Sequence, residues 1–141
     1  MERVPLKFNF SALSDSNIQT GKLGEQLACK YLESKGYQVV ATNFRSKNFG
    51  EIDIVATKGR KTVFFEVKTR SSNWKGTGEE AINLRKLKAL SRVCEIFIKA
   101  HLEFPQSLRL DAILILLDST NPQNSTIRHY ENLDINGKYW N

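Results

Sequence analysis

Two neighbouring segments in the middle of the chain, residues 51–57 and 62–69, alternate strictly between two classes of side chain. Strict alternation is typical of β-strands, because successive side chains of a strand point to opposite faces of the sheet. The residues between the segments, Lys58-Gly59-Arg60-Lys61, contain the glycine that a tight turn favours. The sequence therefore predicts an antiparallel hairpin, and the rest of the chain has to cover its apolar surface.

The position of the turn determines which residues of the two predicted strands lie opposite each other. With the turn centred between Gly59 and Arg60, one face of the hairpin carries only apolar pairs, and we expect it to contact the core. These pairs are Ile52 with Val67, Ile54 with Phe65, and Ala56 with Val63. The pairs on the other face are Val55 with Phe64, Asp53 with Glu66, and Glu51 with Lys68. Because Val55 and Phe64 are apolar, another element must cover part of this second face as well.

The second face of the hairpin places two carboxylates, Asp53 and Glu66, directly opposite each other. Opposed side chains have Cβ atoms about 4.5–5.5 Å apart, and like charges at that distance are unfavourable. Such a pair shares a proton, pairs with a cation or holds a divalent metal. The alternative is a solvated face, where the repulsion falls to about 1 kcal/mol at 4 Å and Glu51 with Lys68 is an ordinary cross-strand pair. A register one residue off would also remove the opposition.

Two further segments have helical patterns. An apolar stripe predicts a helix over residues 18–35, which Gly36 ends. A capping box, Thr77-Gly78-Glu79-Glu80, predicts the start of a second helix that runs to about Ala100.

Three more segments are predicted to be strands: Tyr37–Arg45, the nearly continuous apolar run Leu108–Leu117 and, as a short edge strand, Ile127–Glu131. Arg109 and Asp111 alternate on one face of the apolar run, so we expect them to pair with each other. The order of elements, α-β-β-β-α-β-β, predicts an α/β sandwich with a mixed sheet.

The charge of the chain favours a polyanionic partner only weakly. The 141 residues include 21 Lys and Arg against 15 Asp and Glu, which gives a net charge of +6. The basic residues are concentrated in the middle of the chain, as expected for a surface that binds nucleic acid. The longest apolar run, Ala112–Leu117, is far short of the about 20 residues that span a bilayer, so no membrane association is expected.

The cysteines and histidines argue against other classes of protein. Cys29 and Cys94 both lie in apolar helical patterns, which excludes a disulfide framework and a CxxC zinc site. His101 and His129 are far apart and have no ligand spacing. We expect both thiols to be core residues of a cytoplasmic protein, because the N-terminus has no apolar stretch of the length a secretory signal needs.

Asp53 followed by Glu66-Val67-Lys68 resembles the D-x(n)-E-x-K signature of the PD-(D/E)xK nucleases, the restriction-endonuclease-like superfamily. The predicted order of elements is similar to that superfamily's αβββαβ core. Glu25 lies in the first predicted helix, where the archaeal Holliday junction resolvases similarly place a glutamate. The resemblance implies a restriction-endonuclease-like αβββαβ sandwich, with a central mixed sheet flanked by helices.

The chain more closely resembles the YraN family, small bacterial proteins whose activity is itself inferred from their fold. The similarity covers about residues 21–132 and rests on Gly21-Lys22-Leu23-Gly24-Glu25, Gly36-Tyr37, Asn43-Phe44-Arg45, Gly50-Glu51-Ile52-Asp53, Phe65-Glu66-Val67-Lys68-Thr69-Arg70, Arg85-Lys86, Arg109-Leu110-Asp111 and His129-Tyr130-Glu131-Asn132. The chain departs from the family at Leu110, where an aromatic residue is more usual, and in having an N-terminal extension. The resemblance implies a nuclease-like domain at residues 18–133, between the N-terminal extension 1–17 and a C-terminal tail 134–141.

Both resemblances imply a metal-dependent endonuclease that hydrolyses phosphodiester bonds in DNA, including branched or damaged DNA. The implied cofactor is Mg²⁺ or Mn²⁺, for which carboxylate and carbonyl oxygens are suitable ligands. The implied ligands are the carboxylates of Asp53 and Glu66, the main-chain carbonyl of Val67, and Glu25 for a second metal or a water. The implied catalytic residues are Glu25, Asp53, Glu66 and Lys68, with Lys68 orienting the attacking water or holding the phosphate. An exposed helix acid is the alternative for Glu25.

Basic residues near the predicted strand ends and at the start of the second helix are candidates for contacts with a phosphate backbone. They are Arg45, Lys47, Arg70, Lys75, Arg85 and Lys86. Glu51 has a supporting role in this scheme as the partner of Lys68. Trp74 either stacks on a base or ends a strand.

Two alternatives to the nuclease hypothesis follow from the same residues. The first is a nucleic-acid-binding module with a nuclease-like fold that does not cut. The second, a protein-interaction domain, would leave the opposition of Asp53 and Glu66 unexplained. Cleavage of both strands of a duplex would call for a homodimer, although no residue pattern specifies one.

Overall fold

The computed structural model describes residues 2–3, 17–77 and 84–133. Within these ranges the elements are β1 (Glu2–Arg3), α1 (Asn17–Ser34), β2 (Gln38–Ser46), β3 (Gly50–Lys58), β4 (Lys61–Ser71), α2 (Leu84–Ala100), β5 (Ser107–Leu117), a turn of 3₁₀-helix (Pro122–Asn124) and β6 (Thr126–Tyr130). The order confirms the predicted elements and adds β1. The tail at 134–141, most of the extension at 1–17 and all of the predicted capping box except Thr77 lie outside the described residues.

The strands within the described ranges form one sheet in the order β1-β6-β5-β4-β3-β2. β4 and β5 are parallel, and every other neighbouring pair is antiparallel. Parallel neighbours need a crossover connection, and α2 lies in that connection. The protein therefore has the predicted α/β fold with a mixed sheet. The prediction that the last strand is an edge strand is wrong, because β1, which has too few residues to show a periodic pattern, pairs with its outer side.

The two helices cover opposite faces of the sheet, and each face has its own apolar core. The core under α1 includes Leu27, Leu32, Ile54, Phe65 and Ile113. The core under α2 includes Leu90, Phe97, Val55, Phe64 and Leu114. α2 is therefore the element that covers the second face of the hairpin. None of the helices in the described ranges is long and apolar enough to cross a membrane.

The two cysteines lie where their helical patterns predict. Cys94 is buried in the core under α2, and Cys29 packs, partly buried, against the core under α1. Both thiols are free.

The β3–β4 hairpin has the predicted register near its turn. Lys58 lies opposite Lys61, and the ladder continues to Ile54 opposite Phe65. Gly59 has a φ of 57°, in the left-handed region that two-residue hairpin turns require and that glycine adopts at little cost. The turn thus sets the pairing up to Ile54, where the ladder between these two strands ends.

The prediction of one wholly apolar hairpin face is wrong at Ile52. Ile52 packs in the core under α2, whereas Ile54 packs in the core under α1. Strand β2 pairs with β3 and has a register shift between Val39 and Ala41, opposite Ala56 and Val55, and a positive φ of 54° at Asn43, between the partners of Ile54 and Ile52. Irregularities of this kind bend a strand and increase its twist. The start of β3 therefore turns away from β4. Its side chains no longer alternate in step with those of the β3 residues nearer the turn.

Candidate active site

Glu66 lies on β4 and is almost completely buried, with 2% of the residue exposed. Its two carboxylate oxygens have different surroundings. The ammonium of Lys86 lies 2.7 Å from Oε1, and that of Lys68 lies 3.3 Å from the same oxygen. Oε2 is buried and accepts no hydrogen bond from the described residues. A buried oxygen without a donor is unfavourable and rare, so Glu66 offers an acceptor that none of the described residues uses.

Asp53 lies on β3, immediately beyond the last pair of the ladder with β4. Its Oδ2 accepts a hydrogen bond from the N–H of Val67 at 2.7 Å. In a continuous ladder a main-chain carbonyl of β3 would accept this bond. The side-chain bond therefore draws the Asp53 carboxylate towards β4, the strand that carries Glu66.

Burial is the main reason why the pKa of Asp53 is raised to about 7, and the charge of Glu66 raises it further. The hydrogen bond from Val67 acts in the opposite direction. The two carboxyl groups are close enough to form a hydrogen bond when one of them is protonated. The structure thus brings Asp53 and Glu66 together, as the hairpin pattern predicts, although as neighbours beyond the end of the ladder.

The main-chain carbonyl of Val67 points towards the same neighbouring strand as its N–H, because both groups of one strand residue face the same side. Its N–H is bound by Asp53, so the carbonyl also faces β3. Two carboxylates and one carbonyl are oxygen donors that suit Mg²⁺, which usually keeps several waters. In the part of the chain that the structure describes, no group of three or more His, Cys, Asp and Glu side chains is placed to hold a metal. The donors fit an ion held by two carboxylates and completed by water or substrate.

Glu25 approaches these residues from α1. The helix comes close to β4 at Gly24, where a Cβ atom would clash with Oγ1 of Thr69. Burial raises the pKa of Glu25, a hydrogen bond from Asn43 opposes this effect, and the charges of nearby carboxylates, including Glu66, raise it further. Glu25 is therefore a half-buried member of the acidic cluster and not an exposed helix acid, although among the described residues it completes no set of three ligands.

Asn43 belongs to this cluster, although the sequence alone gave it no role. In the amide orientation that satisfies its neighbours, its nitrogen donates to Glu25 at 3.3 Å and to Glu51 at 3.1 Å. Its positive φ of 54° lies in a region that asparagine adopts more readily than other residues with a side chain. The pairing of β2 with β3 places Asn43 opposite Asp53. In the sequence, the signal that could have identified Asn43 is a polar asparagine within a predicted strand.

Two predicted contacts of the cluster differ in the structure. The predicted pair of Glu51 with Lys68 does not form. Glu51 forms an ion pair with Arg45 at 3.0 Å, and Lys68 contacts Glu66 instead. The reason is that the β3–β4 ladder ends before Glu51, while β2 pairs Arg45 directly with Glu51. Lys86, predicted as a phosphate contact, lies against Glu66, because α2 covers this face of β4.

The remaining predicted phosphate contacts differ in exposure. Three have exposed side chains: Arg45, Lys47 and Lys75. Arg70 is half-buried, donates to the carbonyl of Thr69 at 3.0 Å and has its guanidinium 5.9 Å from the ring of Trp74. Trp74 is partly buried against the core under α2, which favours the structural one of its two predicted roles. The side chain of Arg85 lies outside the described residues.

A second buried carboxylate, Asp111 on β5, has both oxygens occupied. Arg109 donates to Oδ1 and to Oδ2, both at 2.8 Å. The N–H of Asn132 donates to Oδ1 at 2.9 Å, and Nε2 of His129 lies 2.8 Å from Oδ2. Burial would raise the pKa of Asp111, but the hydrogen bonds outweigh burial and hold it below its usual value. The predicted pairing of Arg109 with Asp111 is confirmed, and His129 joins this pair to the hydroxyl of Tyr31 on α1 at 2.9 Å.

Comparison with known sequences places most of this structure in one family. The sequence pattern of the uncharacterised protein family UPF0102 matches residues 24–115. A UPF0102 protein of Caldicellulosiruptor bescii is 41% identical over 104 residues, which are 73% of this chain and 87% of that protein. A UPF0102 protein of Alkaliphilus oremlandii is 40% identical over 118 residues, which are 82% of this chain and 97% of that protein. These matches support the resemblance to the YraN family.

Proposed function

The chain belongs to the uncharacterised protein family UPF0102, and we propose that it is a metal-dependent endonuclease that hydrolyses phosphodiester bonds in DNA. The observation that carries this proposal is the buried Glu66, whose Oε2 accepts no hydrogen bond from any residue that the structure describes and whose neighbour Asp53 has a pKa raised to about 7. Two carboxyls that repel each other in a buried place, with an ammonium beside them, are an arrangement that a divalent cation relieves. The proposal includes membership of the PD-(D/E)xK superfamily and its restriction-endonuclease-like fold.

The chemistry requires neutralised phosphate charge, an activated water and a stabilised leaving oxygen, and a bound Mg²⁺ or Mn²⁺ supplies all three. Asp53, Glu66 and the Val67 carbonyl hold the cation in this proposal. Lys68, whose ammonium lies 3.3 Å from Glu66, orients the attacking water or holds the phosphate. Glu25 binds a water or a second cation at the edge of the cluster, with its carboxylate fixed by Asn43.

Exposed basic residues support a nucleic acid as the substrate. Arg45 has a side chain that is 76% exposed and is held by Glu51, next to the acidic cluster. Lys47 and Lys75 are exposed in the segments that follow β2 and β4. Cations placed around a cleavage site bind the phosphate backbone without reading its sequence. Branched or damaged DNA is included among the proposed substrates because of the resemblance to the archaeal Holliday junction resolvases.

Titration calorimetry with MnCl₂ and MgCl₂ tests the metal site. We expect the native chain to bind at millimolar or tighter affinity and the variants Asp53→Ala and Glu66→Ala to lose binding. Glu33→Ala is a matched control, because Glu33 is an exposed acid on α1. Unchanged affinity in both site variants would refute the proposed cation site.

Incubation with linear, single-stranded and branched DNA and with RNA, with and without Mn²⁺, tests the activity. We expect Mn²⁺-dependent cleavage that Asp53→Ala abolishes. The second candidate function, binding of nucleic acid without cleavage, is favoured by one observation: two ammonium groups already contact Glu66. Binding that weakens steeply with salt but is never followed by cleavage would support this second function.

A further inference from the structure

The two ammonium groups on Glu66 come from different parts of the fold. Lys68 follows Glu66 by two residues on β4, and side chains two apart on a strand share one face. Lys86 reaches the same oxygen from α2, and its ammonium is the closer one, at 2.7 Å against 3.3 Å. The Lys68 side chain is 27% exposed and that of Lys86 is 46% exposed. Lys86 is therefore the partner that can move into water without a change in the sheet.

An ammonium in this position competes with any other cation for Glu66. A carboxylate oxygen bound to Lys86 at 2.7 Å has less negative charge to offer, and the ammonium repels a divalent ion only a few ångströms away. Relief of this repulsion requires the long, flexible lysine stem to swing away from Glu66. The nearest polyanion in the proposed reaction is the phosphate backbone of the substrate.

We propose that Lys86 is a resident counter-ion of Glu66, which a divalent cation displaces and which then binds a phosphate of the nucleic acid. This inference rests on the proposed function and adds the order of events at that site. Without a divalent cation, the ammonium of Lys86 stabilises Glu66 and is withheld from the substrate. With the cation bound, the same ammonium becomes an additional contact for DNA, so cation and DNA each strengthen the binding of the other.

The first test is calorimetry of Mn²⁺ binding to the full-length chain without DNA. In Lys86→Met, which keeps the length of the stem and removes the charge, we expect Mn²⁺ to bind about tenfold more tightly. Lys88→Met is the control, because Lys88 is an exposed lysine on the same helix and its loss should leave the affinity unchanged. Equal or weaker Mn²⁺ binding in Lys86→Met would overturn the proposal.

The second test measures DNA affinity by fluorescence anisotropy at several salt concentrations. For the native chain, addition of Mn²⁺ should make DNA affinity fall more steeply with salt, by the amount that about one additional phosphate contact contributes. Lys86→Met should show no such increase, whereas Lys88→Met should keep it. An increase of equal size in Lys86→Met would overturn the proposal.

The outcomes separate this inference from the proposed function. If neither the native chain nor Lys86→Met binds Mn²⁺, both are refuted. If both bind Mn²⁺ equally, the cation site stands and the role of Lys86 is refuted. Circular dichroism of each variant establishes that it is folded, and Lys86→Arg, which keeps the charge, should retain the native Mn²⁺ affinity if the charge of this residue controls the site.

Discussion

Glu66 and Asp111 are two buried carboxylates on adjacent parallel strands, and their surroundings are opposite. The register places Asp111 beside Phe65, one residue from Glu66, and the exposed fractions are 2% for Glu66 and 0% for Asp111. Asp111 accepts hydrogen bonds at both oxygens, whereas Glu66 has one oxygen without a donor among the described residues. The neighbouring carboxyl of Asp53 repels that of Glu66, whereas the neighbours that lower the pKa of Asp111 are hydrogen-bond donors.

The difference indicates that burial alone does not reveal the role of an acidic side chain. Around Asp111 the chain supplies every partner, as expected of a group that stabilises the fold. Around Glu66 the residues in the described ranges supply no donor for Oε2 and add a second acid, as expected of a group that binds a ligand. The pKa values follow the same division, because that of Asp111 is lowered and that of Asp53 is raised to about 7.

The largest effect is expected for Asp111→Ala. Removing the carboxylate leaves the guanidinium of Arg109 and the ring of His129 without their buried partner, and breaking such a pair costs about 3–5 kcal/mol. Urea unfolding should show this loss in the free energy of unfolding. Glu95→Ala, at an exposed acid of α2, is the control and should stay within about 0.5 kcal/mol of the native chain. A small loss in Asp111→Ala would contradict the structural role of this cluster.

An intermediate effect, which depends on pH, is expected for Asp53→Asn. The folded-state pKa of Asp53 is raised from 3.8 to about 7, so the folded chain holds a proton that the unfolded chain releases between these values. The stability of the native chain therefore falls as pH rises from about 4 to about 7. Asn keeps an acceptor for the Val67 N–H and does not titrate. We expect the variant to match the native chain at pH 4 and to exceed it by about 1–3 kcal/mol at pH 8.

Thermal or urea unfolding of both proteins across this pH range, without divalent cations, provides the measurement. A difference that is constant with pH would show that Asp53 does not titrate as described. Addition of Mn²⁺ at pH 8 should stabilise the native chain and leave Asp53→Asn unaffected.

The smallest effect on stability is expected for Glu66→Gln. The variant loses ion pairs with Lys68 and Lys86, but both lysines have access to water, and the repulsion from Asp53 disappears as well. We expect the free energy of unfolding to change by less than about 1 kcal/mol. Urea unfolding beside Asp111→Ala checks this directly. A loss as large as that of Asp111→Ala would assign Glu66 a structural role and remove the contrast between the two clusters.

The parts of the fold that the sequence predicted depend on neighbours along the chain. The turn at Gly59 sets the register of the hairpin, and alternation within one strand predicts that Arg109 pairs with Asp111. The approach of Asp53 to Glu66 lies one residue beyond the ladder that this rule describes, and it also involves the hydrogen bond that the Val67 N–H donates to Asp53. These features need no knowledge of how the helices pack.

The features that the sequence did not predict join elements far apart in the chain. The contact of Lys86 with Glu66 depends on where α2 lies on the sheet, and the contact of His129 with Asp111 depends on the pairing of β6 with β5. Ile52 lies on the opposite face from the one that alternation predicts, because the irregularity of β2 near Asn43 is a property of the folded sheet. Periodicity does not contain this information.

The contact between Tyr31 and His129 spans 98 residues, and contacts so remote in the chain form slowly because a long loop must close first. Asp111, His129 and Asn132 all lie in the last third of the sequence, so a growing polypeptide leaves the ribosome with Asp53 and Glu66 well before the residues that surround Asp111. We expect the β3–β4 hairpin to form before His129 and Asn132 make their contacts with Asp111. These contacts therefore form only when folding is complete. Truncation of the chain before His129 should leave the hairpin with Asp53 and Glu66 in an incompletely folded protein.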